Sequence, residues 1–467
     1  MGQRPGKAHL SAVAEQGTRP IGRLLLKYSL PAVAGFVANA VYQLVDRVLV
    51  GRGVGTDAMA AVGCAYPLTV VSMGVGLLLG TGTGNQISMF LGQGRREDAE
   101  RVLGQSVRLA LLLGGAFALA YVVLARPLLR LCGAEGAVLA LAIPYLRVSA
   151  VGQLFLIALI SMGNILRVQG RPLLGLVSML GGNALNGVLA YLAIFPLGLG
   201  VAGAALATTV SIGLNLAAVL AYVQSPSSAL AIRRRHLAAD RPLARGILTL
   251  GAPIFFMQVL SSLVFLVANQ AAAREGAVGV AAVSAMNAVS VLLIFPPLGV
   301  AQAMQPLVAF NRGAGQVERV RALLAHVLRA TTAMAVVGAV AVSLVPAFVA
   351  GLFTRDDARL VQLVTAGLPW FMVSVAVFGV QGTASHYFLA VHRPREAGLL
   401  LLGRQLLAIP LLLILPAFLG FRGICVVPML ADVPFAVLAA VLLRAEWRVL
   451  TRAAAEPAPP VAQVELP

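Results

Sequence analysis

Residues 19–53 read RPIGRLLLKYSLPAVAGFVANAVYQLVDRVLVGRG, and residues 241–271 read RPLARGILTLGAPIFFMQVLSSLVFLVANQA. Arg19-Pro20 and Pro31 of the first stretch return as Arg241-Pro242 and Pro253 of the second, 222 residues later. The same offset carries Arg171-Pro172 to Arg393-Pro394, and Gly92-x-Gly94 returns as Gly313-x-Gly315 at an offset of 221. Short periods of roughly 20–50 residues would mark a solenoid or propeller. A period near 220 in a very apolar chain marks a duplicated membrane half, a build found in many secondary transporters.

The composition requires a membrane. Apolar residues make up 59% of the chain and charged residues 11%, against about 25% charged in soluble domains. Apolar runs of roughly 20 residues predict twelve helices. The first half holds residues 24–50, 58–91, 103–125, 138–166, 173–195 and 202–224. The second holds 245–271, 279–310, 321–350, 360–391, 397–418 and 424–447. The second, fourth, eighth and tenth runs exceed one bilayer thickness, so they must tilt, bend or project. The expected fold is an all-α integral membrane protein of two six-helix lobes around a central cleft. Its divisions are a cytoplasmic tail (1–19), a first lobe (20–224), a cytoplasmic linker (225–241), a second lobe (242–452) and a disordered cytoplasmic tail (453–467). No h-region precedes the first run, so no cleaved signal peptide is expected. Because six is even, the two lobes are parallel repeats related by an axis along the membrane normal.

A net charge of +18 invites a nucleic-acid reading, but the charge is sorted by side. Of the 35 Arg and Lys residues, 25 fall on the side of the termini and eight on the other, with Arg147 and Arg404 inside helices. The positive-inside rule puts both termini in the cytoplasm, so the basic charge is a topology signal and no nucleic-acid partner is expected. Cys64, Cys132 and Cys425 are far apart with no CxxC, which argues against zinc or a disulfide framework. The glycines Gly76, Gly80 and Gly84, four residues apart, predict a close helix crossing rather than a phosphate loop.

Two carboxylates sit well inside apolar runs, Asp46 and Asp432. A carboxylate at a helix centre costs about 2.5–3.5 kcal/mol on insertion scales and commonly marks an ion or proton path. Asn39, Tyr42 and Asp46 fall at i, i+3 and i+7, one helical face, and Pro31 upstream predicts a hinge in the first helix. Asp46 is read as an ion-coupling residue, with a structural bond near the outer interface as the competing account. Asp432 is read as a structural bond between helices. Further neutral polar residues line the fifth run (Asn183, Asn186) and the sixth (Thr208, Ser211, Asn215), and these join the candidate first-lobe pocket. Gln258, Ser262 and Asn269 in the seventh run and Asn287 in the eighth are second-lobe cavity candidates. His386 is expected to be a bonded core histidine. No His, Ser or carboxylate set has catalytic spacing, so an enzyme is not expected.

Several segments resemble the MATE (multidrug and toxic compound extrusion) family. They are Leu44-Val-Asp46-Arg-Val-Leu-Val-Gly51-Arg-Gly53, Ala58-Met-Ala-Ala-Val-Gly63, Ile87-Ser88-Met-Phe-Leu-Gly92-Gln-Gly94 and Gly200-Val-Ala-Gly203-Ala-Ala-Leu-Ala-Thr208. The resemblance implies antiport at a bacterial inner membrane, in which an inward cation drives out an amphiphilic, often cationic, organic compound. It further implies a chain that acts as a monomer without a cofactor. The likeness is closer to the DinF-like branch, in which Asp46, Asn186, Thr208 and Pro31 match a first-lobe pocket and its hinge. The NorM-like branch has acids in the seventh and tenth helices that this chain lacks. In the DinF-like branch an Asp follows four residues after the matching Asn; here that place is Ala190. Coupling therefore rests on Asp46, with H⁺ favoured over Na⁺ because a lone carboxylate accepts a proton without a full coordination shell. A lipid-linked precursor flippase of the wider MOP superfamily is the alternative reading.

Overall fold

The computed structural model describes the backbone of residues 7–54, 56–351 and 358–455. Within these, the side chains of 7–12, 40, 41, 43–48, 50–60, 137, 277 and 455 lie outside the description. The described chain is helical, with no strand. A short helix α1 (Lys7–Thr18) precedes α2 (Ile21–Val54), α3 (Thr56–Gly92), α4 (Arg96–Val123) and α5 (Ala125–Leu131). Then come α6 (Gly136–Val168), α7 (Pro172–Ile194) and α8 (Gly200–Gln224). The second half runs α9 (Arg241–Ala272), α10 (Gly276–Gly313), α11 (Val317–Leu344), α12 (Pro346–Gly351), α13 (Ala358–Ala390), α14 (Pro394–Leu419) and α15 (Phe421–Ala455). All but α1, α5 and α12 are long and apolar enough to cross a bilayer, twelve candidate spans among the described residues.

Apart from Pro31 and Pro253, which lie inside α2 and α9, the repeat landmarks turn out to be helix ends. After α3, the Gly94 amide bonds to Leu91 O (3.1 Å) and the Arg95 amide to Phe90 O (2.9 Å). After α10, Gly315 and Gln316 bond to Arg312 O (3.2 Å) and Asn311 O (2.9 Å) in the same pattern. Both glycines have left-handed backbone, φ 73° and 70°, as this helix stop requires. The ends of α6 and α13 repeat it, but the left-handed residue is Gly170 (φ 80°) in one and His392 (φ 60°) in the other. Pro172 and Pro394 then open α7 and α14, where a missing amide proton costs nothing. The ninth predicted run, 321–350, is broken by Pro346: α11 stops at Leu344 and α12 follows, because the residue before proline is kept from helical geometry.

The chain forms two compact units, residues 1–19 with 34–255 and residues 20–33 with 256–467. Helix α2 passes from the second unit to the first two residues after Pro31. Helix α9 passes from the first to the second two residues after Pro253. These crossings are themselves 222 residues apart. A proline inside a helix removes one backbone bond and favours a kink, so both crossings lie beside intrinsic weak points.

In the first unit, Gly76, Gly80 and Gly84 face α6. A Cβ on Gly76 would lie 2.9 Å from Ile160 Cβ, and one on Gly84 3.5 Å from Val168, so bare backbone lets these helices meet. Residues 225–240 are tied down to the same unit. Glu100, 2% exposed, pairs with Arg233 at 2.8 Å and Arg96 at 3.3 Å. Gln105 donates to His236 O (2.9 Å) and accepts from the Asp240 amide (3.1 Å). Gln16 of α1 donates to Val168 O (2.7 Å) at the end of α6.

In the second unit, α11 and α13 cross at Gly379. Thr331 Oγ1 lies 2.8 Å from Thr383 Oγ1 and donates to Gly379 O (3.1 Å). The core includes Met286, Leu368, Met372 and Cys425. Cys64, Cys132 and Cys425 are all free thiols, and the described residues hold no group of three His, Cys, Asp or Glu placed for a metal.

Candidate functional site

The first-unit candidates lie on α2, α7 and α8. Asp46 is on α2, but its side chain lies outside the described residues. Asn39, two turns before it, is exposed, and Tyr42 is half-buried. Leu49, one turn beyond Asp46 on the same helical face, packs on an apolar cluster of α7 and α8 that contains Ala190, Ile194, Ala204 and Ala207. Ala190 is 1% exposed. The position that would bear a second acid in the DinF-like pattern is thus a core packing position, small and dry.

Asn186, 3% exposed, donates from Nδ2 to Thr208 Oγ1 at 3.0 Å, and Thr208 Oγ1 donates to Ala204 O in its own helix at 3.0 Å. Asn186 Oδ1 and Asn183 Nδ2 are buried without a partner among the described residues. Unsatisfied buried groups of this kind cost about 1–3 kcal/mol each, which makes them candidate ligand contacts. The other two candidate residues of α8 serve elsewhere. Ser211 Oγ donates to Ala207 O (2.7 Å) in its own helix. Asn215 Oδ1 accepts from Ser178 Oγ on α7, beside a groove of about 370 Å³ lined by Leu174, Gly182, Leu214 and Tyr222. So α8 does not aim its three candidate side chains at one place.

The second-unit candidates are scattered. Gln258, Asn269 and Asn287 are half-buried and Ser262 is exposed. Ser262 Oγ donates to the backbone Gln258 O (3.2 Å) within α9; no bond between side chains joins the four among the described residues. Asn269 Oδ1 is buried and unpartnered there. His386, 5% exposed, meets Gly382 O through Nδ1 at 2.8 Å within α13.

A charged group in the second unit stands out more than any of these. Asp432 of α15 bonds Arg404 Nη1 of α14 at 3.0 Å and accepts from Ser374 Oγ of α13. One residue along α14, Gln405 donates to Ser261 Oγ of α9 at 2.7 Å. By the repeat offset of 222, Gln405 and Ser261 occupy the places of Asn183 and Asn39. The sequence registers Asp432 and Arg404 as intramembrane charges but not as a pair. The missing signal is helical phase: both fall opposite the exposed apolar faces of their helices.

A model of the MatE family matches residues 31–192 and 253–414, two segments 222 residues apart. Multidrug export protein MepA of Staphylococcus aureus is 27% identical over 412 residues, covering 87% of this chain and 89% of that protein. MepA of Staphylococcus haemolyticus is 26% identical, with 86% and 89% covered. Among solved structures, an outward-facing multidrug resistance MATE family transporter of the MOP superfamily superposes with a TM-score of 0.87. It is 24% identical and covers 96% of this chain and all of that one. A MATE protein in a bent conformation gives 0.88 at 24% identity, covering 97% of this chain and all of that one. At such identities the likeness is one of fold. The family match takes in more than half of the chain, once in each six-helix half, and the chain belongs to the MatE family, whose members are transporters and not enzymes.

Proposed function

We propose that this chain is a secondary multidrug exporter. It moves amphiphilic organic compounds, cations among them, out of a bacterial cell in exchange for an inward ion, as a monomer with both termini in the cytoplasm. The names of the MepA relatives and the family match support the export reading, and the charge sorting supports the orientation. The observation that carries the coupling reading is the Asn186–Thr208 bond beside the unpartnered Asn186 Oδ1 and Asn183 Nδ2. These lie on helices against which α2 packs one turn beyond Asp46.

The coupling ion is H⁺, with Na⁺ the alternative. Ala190 leaves Asp46 as the carboxylate of this site, and Asn and Thr oxygens alone make a thin shell for a metal cation, which prefers six or more oxygens when it is Ca²⁺-like and hard. A proton needs one carboxylate. Uptake by Asp46 shifts how α2 packs, and Pro31 lets its two segments respond separately. Coupling follows only if proton and substrate each bind the two conformations unequally. The match of Asp46, Asn186, Thr208 and Pro31 to the DinF-like pattern, and the lack of NorM-like acids in α9 and α13, support a DinF-like reading, from which Ala190 departs.

Dye export from proteoliposomes with a pH gradient and a Na⁺ gradient imposed separately tests this reading. Export driven by the pH gradient alone supports it. Export under neither gradient, with flipping of a lipid-linked precursor instead, overturns it in favour of the flippase reading.

A further inference from the structure

The second unit places a charged pair deep in the membrane region. Arg404 lies ten residues into α14 and Asp432 eleven residues into α15, about 15–17 Å along each helix. This is near the middle of a hydrocarbon core about 30 Å thick. The other charged side chains that bond between these helices do so near helix ends: Tyr387 donates to Glu446 (2.9 Å) three residues before α13 stops, and Arg319 donates to Asn311 (3.0 Å) where α10 ends and α11 begins. Bonds between neutral side chains of different spans include Ser72–Tyr121 (3.0 Å), Ser106–Ser161 (2.8 Å), Asn186–Thr208 (3.0 Å), Gln405–Ser261 (2.7 Å) and Thr331–Thr383 (2.8 Å). A charged pair at mid-depth therefore calls for another reason than holding helices together.

The two partners are not equally enclosed. The Asp432 side chain is 9% exposed and that of Arg404 is 28% exposed. Both carboxylate oxygens are occupied, one by Arg404 and the other by Ser374. The guanidinium has five N–H donors, and the bond to Asp432 employs Nη1. Nε and Nη2 carry no further bond among the described residues.

The open side of Arg404 does not face lipid. Its neighbours on the helical face, at i−7, i−4, i−3 and i+4, are Ala397, Leu400, Leu401 and Ala408, all buried. The exposed apolar stripe of α14, Leu399, Leu406 and Leu413, lies on the other side by helical phase. Arg404 therefore opens toward the interior of the unit. Gly403, adjacent to it, meets Phe435 of α15, which fixes the crossing that brings Arg404 to Asp432.

We propose that Arg404, held in place by Asp432 and Ser374, is a carboxylate-accepting subsite that lets this transporter carry zwitterionic substrates as well as cations. An ion pair turns a flexible cation into a fixed donor set, and Arg presents its donors in a planar fork that fits a carboxylate. With Asp432 in place the site has no net charge, so a cation lacking a carboxylate is not repelled. A substrate carboxylate takes Nε and Nη2 while Nη1 keeps Asp432.

This inference rests on the export reading above, and the experiment separates the two. A cationic xanthene dye with a free benzoate and its methyl ester form a matched pair of probes in proteoliposomes. For the unaltered protein both are exported. Arg404→Gln with Asp432→Asn, which leaves no unpaired charge behind, lowers the acid-to-ester preference about ten-fold, as expected for loss of a charge-assisted bond. Asp432→Asn alone frees Arg404 and raises the preference. A purely structural pair would lower export of both dyes together and leave their ratio unchanged. An unchanged ratio in the double variant, or a fall in Asp432→Asn, overturns the subsite. Absence of ester export by the unaltered protein overturns the export reading instead.

Discussion

Gly379 gives the most sharply defined perturbation of the fold. A Cβ placed on it would lie 2.5 Å from Thr332 Cα, 2.7 Å from Thr331 O and 2.7 Å from Thr332 N. All three are backbone atoms of α11, so no side chain can swing aside. Ordinary contact begins near 3.4 Å, and Gly379→Ala must therefore push α11 and α13 apart by about 0.7–0.9 Å. That movement stretches the buried Thr331 Oγ1 bonds to Gly379 O and to Thr383 Oγ1, now 3.1 and 2.8 Å. Overpacking of this kind costs about 1–3 kcal/mol, and weakening a buried neutral bond adds about 0.5–1.5 kcal/mol. A total of about 2–4 kcal/mol corresponds to a fall in Tm of about 5–10 °C for a cooperative unit of this size. Thermal unfolding of the detergent-purified protein reads this directly. Thr383→Val, which removes one hydroxyl without forcing the helices apart, should cost about 1 kcal/mol. An Ala variant with the parent Tm would refute the close α11–α13 crossing.

Two further outcomes follow from helix ends and loops. His392 holds a left-handed φ of 60° where the first half has Gly170, and burial pushes its imidazole pKa down to about 4. The folded pKa lies below the unfolded value of about 6.5, so the unfolded chain takes the proton first. Stability is complete above about pH 6.5 and declines as the pH falls toward 4. His392→Gly should raise Tm at pH 8 through relief of about 1 kcal/mol of backbone strain, and raise it more at pH 5; a lower Tm at both would contradict this. Glu100→Gln removes the buried carboxylate that holds Arg233, so trypsin should cut after Arg233–Arg235 several-fold faster, and an unchanged rate would deny the strap.

How much the sequence disclosed depends on what each feature rests on. Span number and order were legible because apolar runs report on the solvent, and the twelve long helices lie where the runs predict. The Arg-Pro and Gly-x-Gly repeats were legible because they are local stop and start devices with fixed backbone demands. The helices α5 and α12 were not, since seven or fewer residues leave too little periodicity. Nor was α1, whose anchor is a tertiary bond from Gln16 to Val168 O. Among site residues, the Asn186–Thr208 pairing agrees with the stripes read from α7 and α8, whereas Ser211 and Asn215 share that stripe yet bond elsewhere. Spacing fixes the face of a helix, not which neighbour each side chain finds. At the repeat offset of 222, Asp46 of the first half corresponds to Ala268, which by itself suggests a second half without the charged chemistry of the first. That comparison looks only at matched positions, and Arg404 and Asp432 match Gly182 and Val210, so it was blind to a pair built in the second half alone.

In the proposed mechanism Asp46 links ion entry to substrate exit. The direct measurement is substrate-dependent proton influx into proteoliposomes bearing the unaltered protein or Asp46→Asn, with Tm recorded for both. If Asp46 carries the coupling, substrate drives proton influx in the unaltered protein and none in Asp46→Asn at a Tm within a few °C of the parent. Full substrate-coupled proton influx by Asp46→Asn would contradict it.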